Sequence, residues 1–385
     1  MLSSKVGWSK AADAFSAGKE AAAKAGCSGN VAFVFGSPAY DSSKLIAGVK
    51  EALPKVPVVG CTSFTGVITP DGFIGGDTYC GIMLLDDPDM TVGTGSAEFK
   101  GCAVEAGAAA AKAALEAAAR TDMPDWFYMV APPGKEEYYL QGIQSVVGRR
   151  PFFGGSAADN DVSGKWFVYG EEAMADGVTV AFFWNKPFGK CYTGAYRKSG
   201  KRGIMTKVEG NRQLAEIDGK PALDVIASWI GSTPAELQGL NLLGATIHHP
   251  LGQQDIASDH VWIRHPMAGN PDGSVNVGNK LIEGTCVEMM EATTDELISS
   301  VGDAVNAAKE SLGSEMGALL AVHCGGRRGG IGDRIEEVTE QFKKTADGAP
   351  FIAVFTFGEY GCDNKMGYTA NGCGGLMLSF MALKK

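Results

Sequence analysis

Apolar runs and segments of helical period alternate along the chain, and three times they follow one plan. Each copy opens on an apolar run that ends in a Gly/Pro-rich loop. The three are Val31–Phe35 before Gly36-Ser37-Pro38, Trp126–Val130 before Ala131-Pro132-Pro133-Gly134, and Leu319–Val322 before His323-Cys324-Gly325-Gly326. A helix-period segment follows at Lys44–Leu53, Glu136–Val147 and Arg334–Lys344. Proline then starts a second strand at Pro57, Pro151 and Pro350, a position that need not donate to a ladder. A polar turn and a closing strand complete the copy at Gly81–Leu85, Gly177–Phe183 and Gly375–Phe380. From Pro to closing Gly the distances are 24, 26 and 25 residues. This spacing predicts a β-α-β-β unit repeated three times.

A strand, a crossover helix and a second strand make a right-handed parallel unit, and the added strand makes the sheet mixed. The predicted fold class is therefore α/β, with mixed sheets of repeated β-α-β-β units in two lobes and helices on the outside. Ligands in such sheets sit beyond the carboxyl ends of the parallel strands, where all three Gly/Pro loops fall. Met1–Cys27 reads as helical, from the spacing of Val6, Ala11, Phe15 and Ala22, and lacks the apolar centre of a secretory signal. Lys186–Met316 reads differently from the repeats. Strands are expected near Cys191–Tyr196, Gly203–Val208, Val261–Arg264 and Thr285–Met290, with helices at Pro221–Ile230 and Asp295–Leu312. It forms a separate lobe or an insertion between the second and third units.

Composition narrows the function. The 385 residues carry a net charge of −10, which leaves no basic footprint for nucleic acid and disfavours an anionic membrane surface. No run approaches the roughly 18 apolar residues of a membrane span. Glycine, 53 residues, is about twice its usual share of roughly 7%, as expected where backbone must approach a ligand. Nine cysteines without a Cys-x-x-Cys pair suggest buried free thiols and a reduced, cytoplasmic setting.

Several segments together resemble the FIST family of sensory proteins, which carry an N-terminal and a C-terminal FIST domain. Pro57-Val-Val-Gly-Cys-Thr-Ser-Phe-Thr-Gly66 is similar to the family's Gly-Cys-Ser/Thr turn, and Phe153-Gly-Gly-Ser-Ala-Ala-Asp-Asn160 to its Gly-Gly-x-Ala-x-Asp segment. His249-Pro-Leu-Gly252, Ile263-Arg264, Ile282-Glu-Gly-Thr285, Cys324-Gly-Gly-Arg327 and Phe357-Gly-Glu359 resemble the C-terminal domain. The likeness covers about residues 30–380, and it implies an N-terminal helical segment at 1–29, a FIST N-type domain at 30–225 and a FIST C-type domain at 226–385. It further implies a sensory protein that binds a small molecule, such as an amino acid or other small carboxylate, and signals to a separate partner, since no output domain is attached. One departure stands out. Where the family commonly has aromatic-His-Asn-x-Thr, this chain reads Tyr368-Thr-Ala-Asn-Gly-Cys373, so Asn371 is kept while Ala370 and Cys373 replace His and Thr.

The candidate chemistry gathers at the loops. Cys324-Gly-Gly-Arg-Arg-Gly-Gly330 offers backbone amides and guanidinium to an anion, with Arg327 as a carboxylate clamp and Arg264 as a second cation. Glu359 follows a buried strand and needs a partner, either Arg327 or a ligand ammonium. Thr62, Ser63, Ser156, Asp159 and Asn160 fill the corresponding turns of the first two units, as ligand donors or as turn caps. Four of five histidines (His248, His249, His260 and His265, with His323 apart) fall within 18 residues but show no metal-ligand spacing, so no metal is expected. No resident cofactor is expected. Two alternatives stay open: an enzyme acting on a small carboxylate through Cys324 or Cys61 as nucleophile with Glu359 as acid/base, and a gas sensor holding haem through one axial His. Cys373, also in a ligand-side turn, is a further candidate thiol.

Overall fold

A computed structural model describes residues 1–255, 259–365 and 368–385, with the side chains of 364–370 outside that description. The three units are present, and each is longer than the periodicity showed. Unit one runs β1 (Ser3–Ser9), α1 (Ala14–Ala25), β2 (Val31–Gly36), α2 (Ser42–Ala52), β3 (Val58–Thr62), the hairpin β4–β5 (Gly66–Thr69, Gly72–Gly75) and β6 (Cys80–Asp86). Unit two repeats it as β7 (Thr91–Glu98), α3 (Ala103–Ala117), β8 (Trp126–Ala131), α4 (Glu136–Val147), β9 (Phe152–Ser156), β10–β11 (Val168–Tyr169, Ala173–Met174) and β12 (Gly177–Trp184).

Unit three opens on β13 (Phe188–Thr193) and is then interrupted. An insertion supplies β14 (Arg197–Glu209), β15 (Gln213–Ile217), β16 (Lys220–Pro221), α5 (Ala222–Ile230), α6 (Pro234–Leu237), β17 (Leu251–Gln254), β18 (Val261–Arg264), β19 (Pro266–Gly269), β20 (Val275–Val277) and β21 (Cys286–Glu291). The unit resumes with α7 (Thr294–Leu312), β22 (Met316–Cys324), α8 (Gly325–Ile331), α9 (Ile335–Thr345), β23 (Phe351–Thr356), β24–β25 (Glu359–Lys365, Tyr368–Gly374) and β26 (Leu378–Lys384).

Each unit builds a six-stranded sheet in which only the central pair is parallel: β2–β3, β8–β9 and β22–β23. The opening strand and the closing strand flank that pair antiparallel. The far flank of each sheet comes from another unit. β10–β11 of unit two completes the first sheet, β24–β25 of unit three the second, and β4–β5 of unit one the third. The exchange is cyclic.

Strand alternation then sorts the core. Phe33 and Phe35, Trp126 and Tyr128, and Leu320 and Val322 point into one central core shared by all three sheets. Their neighbours face outward under helices: Ala32 and Val34 in the cluster that holds Ala17 and Val49, Phe127 and Met129 with Ala110 and Ile143, and Leu319 and Ala321 with Val301 and Val338. Asp13, Asp41 and Thr293 cap α1, α2 and α7 by accepting backbone N–H groups. Two helix pairs meet at glycines. A Cβ on Gly48 would lie 2.0 Å from the Phe15 carbonyl oxygen, and one on Gly142 2.0 Å from that of Val104.

The fold class read from the sequence holds, with helices outside mixed sheets. Three local readings change. Met1–Cys27 is not helical throughout, because Ser3–Ser9 pairs along its whole length with β6. Lys186–Met316 is not one lobe: β13 and α7 belong to unit three, and the strands between them form a separate eight-stranded sheet. The 324–330 segment is a helix rather than a loop, because Cys324 Sγ caps Gly326 N–H and Arg327 is drawn into the interior.

Candidate functional site

The carboxyl ends of the three parallel pairs converge, as the topology requires. Register makes Thr62, Ser156 and Thr356 equivalent, opposite Gly36, Ala131 and Cys324. Between these ends lies a cavity of about 250 Å³. Phe64, Pro133 and Phe357 contribute one wall, one from each unit, and Cys324, Gly326 and Leu376 the floor. Trp166 closes one side, and Leu243, Ile247, His265, Met267 and Asn279 of the insertion roof it. Phe357 makes a tilted contact with Phe64 at 5.7 Å and an edge contact with Trp166 at 6.2 Å.

The hydroxyl and amide candidates hold this frame together. Ser63 Oγ donates to the Gly66 carbonyl and accepts Phe355 N–H at 3.0 Å, tying unit one to unit three. Ser156 Oγ shares a hydrogen bond of 2.7 Å with Tyr360 OH, tying unit two to unit three. Thr62 Oγ1 accepts Phe167 N–H, and Asn160 Oδ1 accepts Thr65 N–H. Asp159 accepts four backbone N–H groups, those of Val162 and Lys165 among them, and so fixes the loop that carries Trp166.

The two arginines are not at the cavity. Arg327 is fully buried, and its guanidinium donates to the Gly194 carbonyl at 2.6 Å, the Leu297 carbonyl at 3.0 Å and Ser300 Oγ at 2.6 Å, while Nε has no partner. It braces α7 and the end of β13 against α8. Arg264 donates to Gln253 Oε1 and the Cys373 carbonyl on the wall of a second, more open cleft of about 520 Å³ that also holds Asn371. Asn371 Nδ2 donates to the Arg150 carbonyl.

Cys324 and Glu359 do come together. Cys324 Sγ lines the cavity and accepts Gly326 N–H and Leu376 N–H, each at 3.2 Å. The buried Glu359 carboxyl accepts Thr356 Oγ1–H at 2.9 Å and Met377 N–H at 2.8 Å, and hydrogen-bonds Cys324. Burial drives the Cys324 thiol far above its usual range, and the Glu359 charge adds to it. Cys61 is raised by burial alone and Cys373 by burial with Glu137 and Glu136 beside it, so these thiols stay protonated. Burial pushes Glu359 up to about 8 from an ordinary 4.5. A carboxyl raised on folding stabilises fully below about pH 4.5, and its contribution is lost as pH climbs to about 8. Glu359→Gln is therefore expected to remove a downward slope in urea midpoint across that window; parallel wild-type and variant profiles would rule the assignment out.

Two residues escaped the sequence reading. Glu136, at the start of α4, is buried, accepts Gly134 N–H at 2.5 Å and faces Arg212 of the insertion at 3.3 Å. Its carboxyl is raised by burial and by Glu137. Asn279 donates to Glu136 Oε1 at 3.5 Å, and its own Oδ1 is buried without a partner. A Glu after Pro-Pro-Gly at a helix start looks like an ordinary N-terminal acid, and Asn279 sits in a loop without pattern. The histidines disperse. His248 meets the Ala292 carbonyl, His260 stacks on Tyr192 and meets Trp262 edge-on, His265 bonds the Leu243 carbonyl, and His323 is buried in β22. His249 lies near His248, lowered by burial. Among the described residues no group of three His, Cys, Asp or Glu is placed to hold a metal.

The FIST N domain matches residues 30–220 and the FIST C domain residues 222–362. No curated protein matches the chain. Among solved structures, cyanuric acid hydrolase from A. caulinodans is 11% identical with a TM-score of 0.40 over the whole of both chains. PurLQS from Thermotoga maritima is 9% identical with a TM-score of 0.25, over all of this chain and 72% of that one. Likeness at these scores carries no functional argument.

Proposed function

The chain belongs to the FIST family of sensory, signal-transducing proteins, and on that premise we propose that it is a small-molecule input protein whose ligand enters the central cavity. The observation that carries this reading is the cavity's position. Loops from all three units and the insertion lobe converge on one space, so an occupant touches all of them at once. A ligand changes the arrangement of these parts only through its different affinity for the alternative arrangements, and a separate partner then reads the preferred one.

An amino acid or other small carboxylate would need a cation on the cavity wall, and both candidate guanidiniums are bonded to protein carbonyls elsewhere. The Cys324–Glu359 contact gives the enzyme alternative its geometry, but a thiol raised by burial beside a carboxyl is a poor nucleophile at neutral pH. For haem, the cavity of about 250 Å³ falls below the roughly 300–1,000 Å³ of sites for larger ligands, and its one histidine, His265, is bonded to Leu243.

A thermal-shift screen of amino acids, small carboxylates, phosphates, haem and neutral aromatics tests the reading. A ligand at about 100 times its Kd adds roughly 2.7 kcal/mol, a rise of a few degrees. The expected hits vanish in Gly244→Phe or Gly329→Phe, two cavity-lining positions where an added Cβ meets no atom within 4 Å. Hits that survive both substitutions would place the site elsewhere.

A further inference from the structure

We infer that the central cavity takes an uncharged aromatic molecule that donates one hydrogen bond, of the indole or phenol class, and excludes anions. This rests on the reading of the cavity as the ligand site and goes beyond it by assigning the ligand's polarity.

Three buried polar side chains, Asn279, His265 and Cys324, line the cavity. Asn279 is 2% exposed; its Nδ2 turns to Glu136 Oε1, so Oδ1 is the end left over, buried and without a partner. A buried acceptor left unmade costs free energy, so a donor arriving there is favoured twice, by the bond it makes and by the deficit it removes. His265 is held neutral, its pKa lowered to about 4 by burial. Its Nε2 lies 3.0 Å from the Leu243 carbonyl and must donate, which leaves Nδ1 unprotonated and an acceptor. Cys324 Sγ already takes the two backbone N–H groups that point at it, Gly326 and Leu376, so those donors are not offered to an occupant.

The walls give the rest of the molecule. Phe64, Trp166 and Phe357 set aromatic faces on one side, and Leu243, Ile247 and Leu376 aliphatic surface on the other. Aromatic rings stack or meet edge-on against such faces. An apolar cavity of about 150 Å³ holds one benzene ring, so about 250 Å³ suits a fused or substituted ring. A carboxylate would meet no cation to offset its desolvation.

The test uses the full chain and three probes of nearly one shape: indole, 1-methylindole, which lacks the N–H donor, and indole-2-carboxylate. Titration calorimetry is expected to show indole bound about tenfold tighter than 1-methylindole, the effect of one donor on an unpaired acceptor, and no binding of the carboxylate. In Asn279→Leu the ratio of the two neutral probes should fall to about one, with 1-methylindole still bound. That retained binding also shows the variant is folded. Failure of indole to bind, a ratio unmoved by Asn279→Leu, or tighter binding of the carboxylate would overturn the inference. Because the screen above includes carboxylates and phosphates, cavity-dependent hits from those classes would sink this inference while leaving the sensory reading in place.

Discussion

Arg327→Met is expected to lower unfolding free energy by roughly 3–5 kcal/mol with no ligand present. The substitution keeps an unbranched apolar stem but strips the Gly194 carbonyl and Ser300 Oγ of their donor, while the Leu297 carbonyl keeps only the Ser300 hydroxyl. Each orphaned group costs about 1–3 kcal/mol, and partial relaxation keeps the total below the sum. Guanidinium denaturation of the two proteins reads the difference. The outcome separates two roles that the sequence left side by side. A clamp for a ligand carboxylate would be nearly free to remove from the unliganded protein, because its partner arrives only with the ligand. A brace fails at once. A loss under about 1 kcal/mol would therefore return Arg327 to the binding site.

Gly60→Ala and Gly154→Ala are expected to be nearly as damaging, roughly 3 kcal/mol or more each. Both glycines lie in the second strand of a parallel pair, at equivalent register. A Cβ would sit 1.7 Å from the Val34 carbonyl oxygen in one case and 1.8 Å from that of Met129 in the other. The obstacle is backbone of the neighbouring strand, which cannot rotate away as a side chain would. Gly154 adds a φ of +134°, where an L-residue is strained, so it should be the worse of the two. Gly210→Ala makes the control, since φ there is +54° but nothing lies within 4 Å; about 1 kcal/mol is expected. Equal thermal midpoints for Gly60→Ala and wild type would mean that the strands can part by more than an ångström.

The repeat was legible because its signals are local. Proline at Pro57, Pro151 and Pro350 and the spacing to the closing strand survive in any context. Helix within Met1–Cys27 and at Asp295–Leu312 was read, but that each unit opens on a further strand and helix was not legible, for particular reasons. The fully buried residues of β1 are Gly7 and Ser9, with Val6 and Trp8 only half-buried, so no apolar run marks it. β13 and α7 are separated by the whole insertion, and no window of the sequence spans both. The Gly-Gly-Arg-Arg-Gly-Gly run has poor helix propensity and becomes helix only because Cys324 caps it and Arg327 finds acceptors on other elements. Site reading met the same limit. Cys324 ends β22 and Glu359 comes just after its neighbour β23 in the same unit, so their proximity was within reach. Where a guanidinium ends, four rotatable bonds away and among groups distant in sequence, was not. Asn279 and Glu136 are 143 residues apart, and only the folded insertion brings them together.

The cyclic exchange of hairpins bears on how such a protein is divided. The family boundary near residue 221 falls within the insertion, between β15 with β16 on one side and β17–β21 on the other, all of one sheet. A fragment ending there would carry β4–β5 with no third sheet to receive it, and β9 would show the bare backbone that β24 normally covers. An unpaired, apolar strand rim is a template for self-association. The two FIST domains are thus names for stretches of sequence rather than independent folding modules, and grafting one of them onto another protein would transplant half of a closed ring.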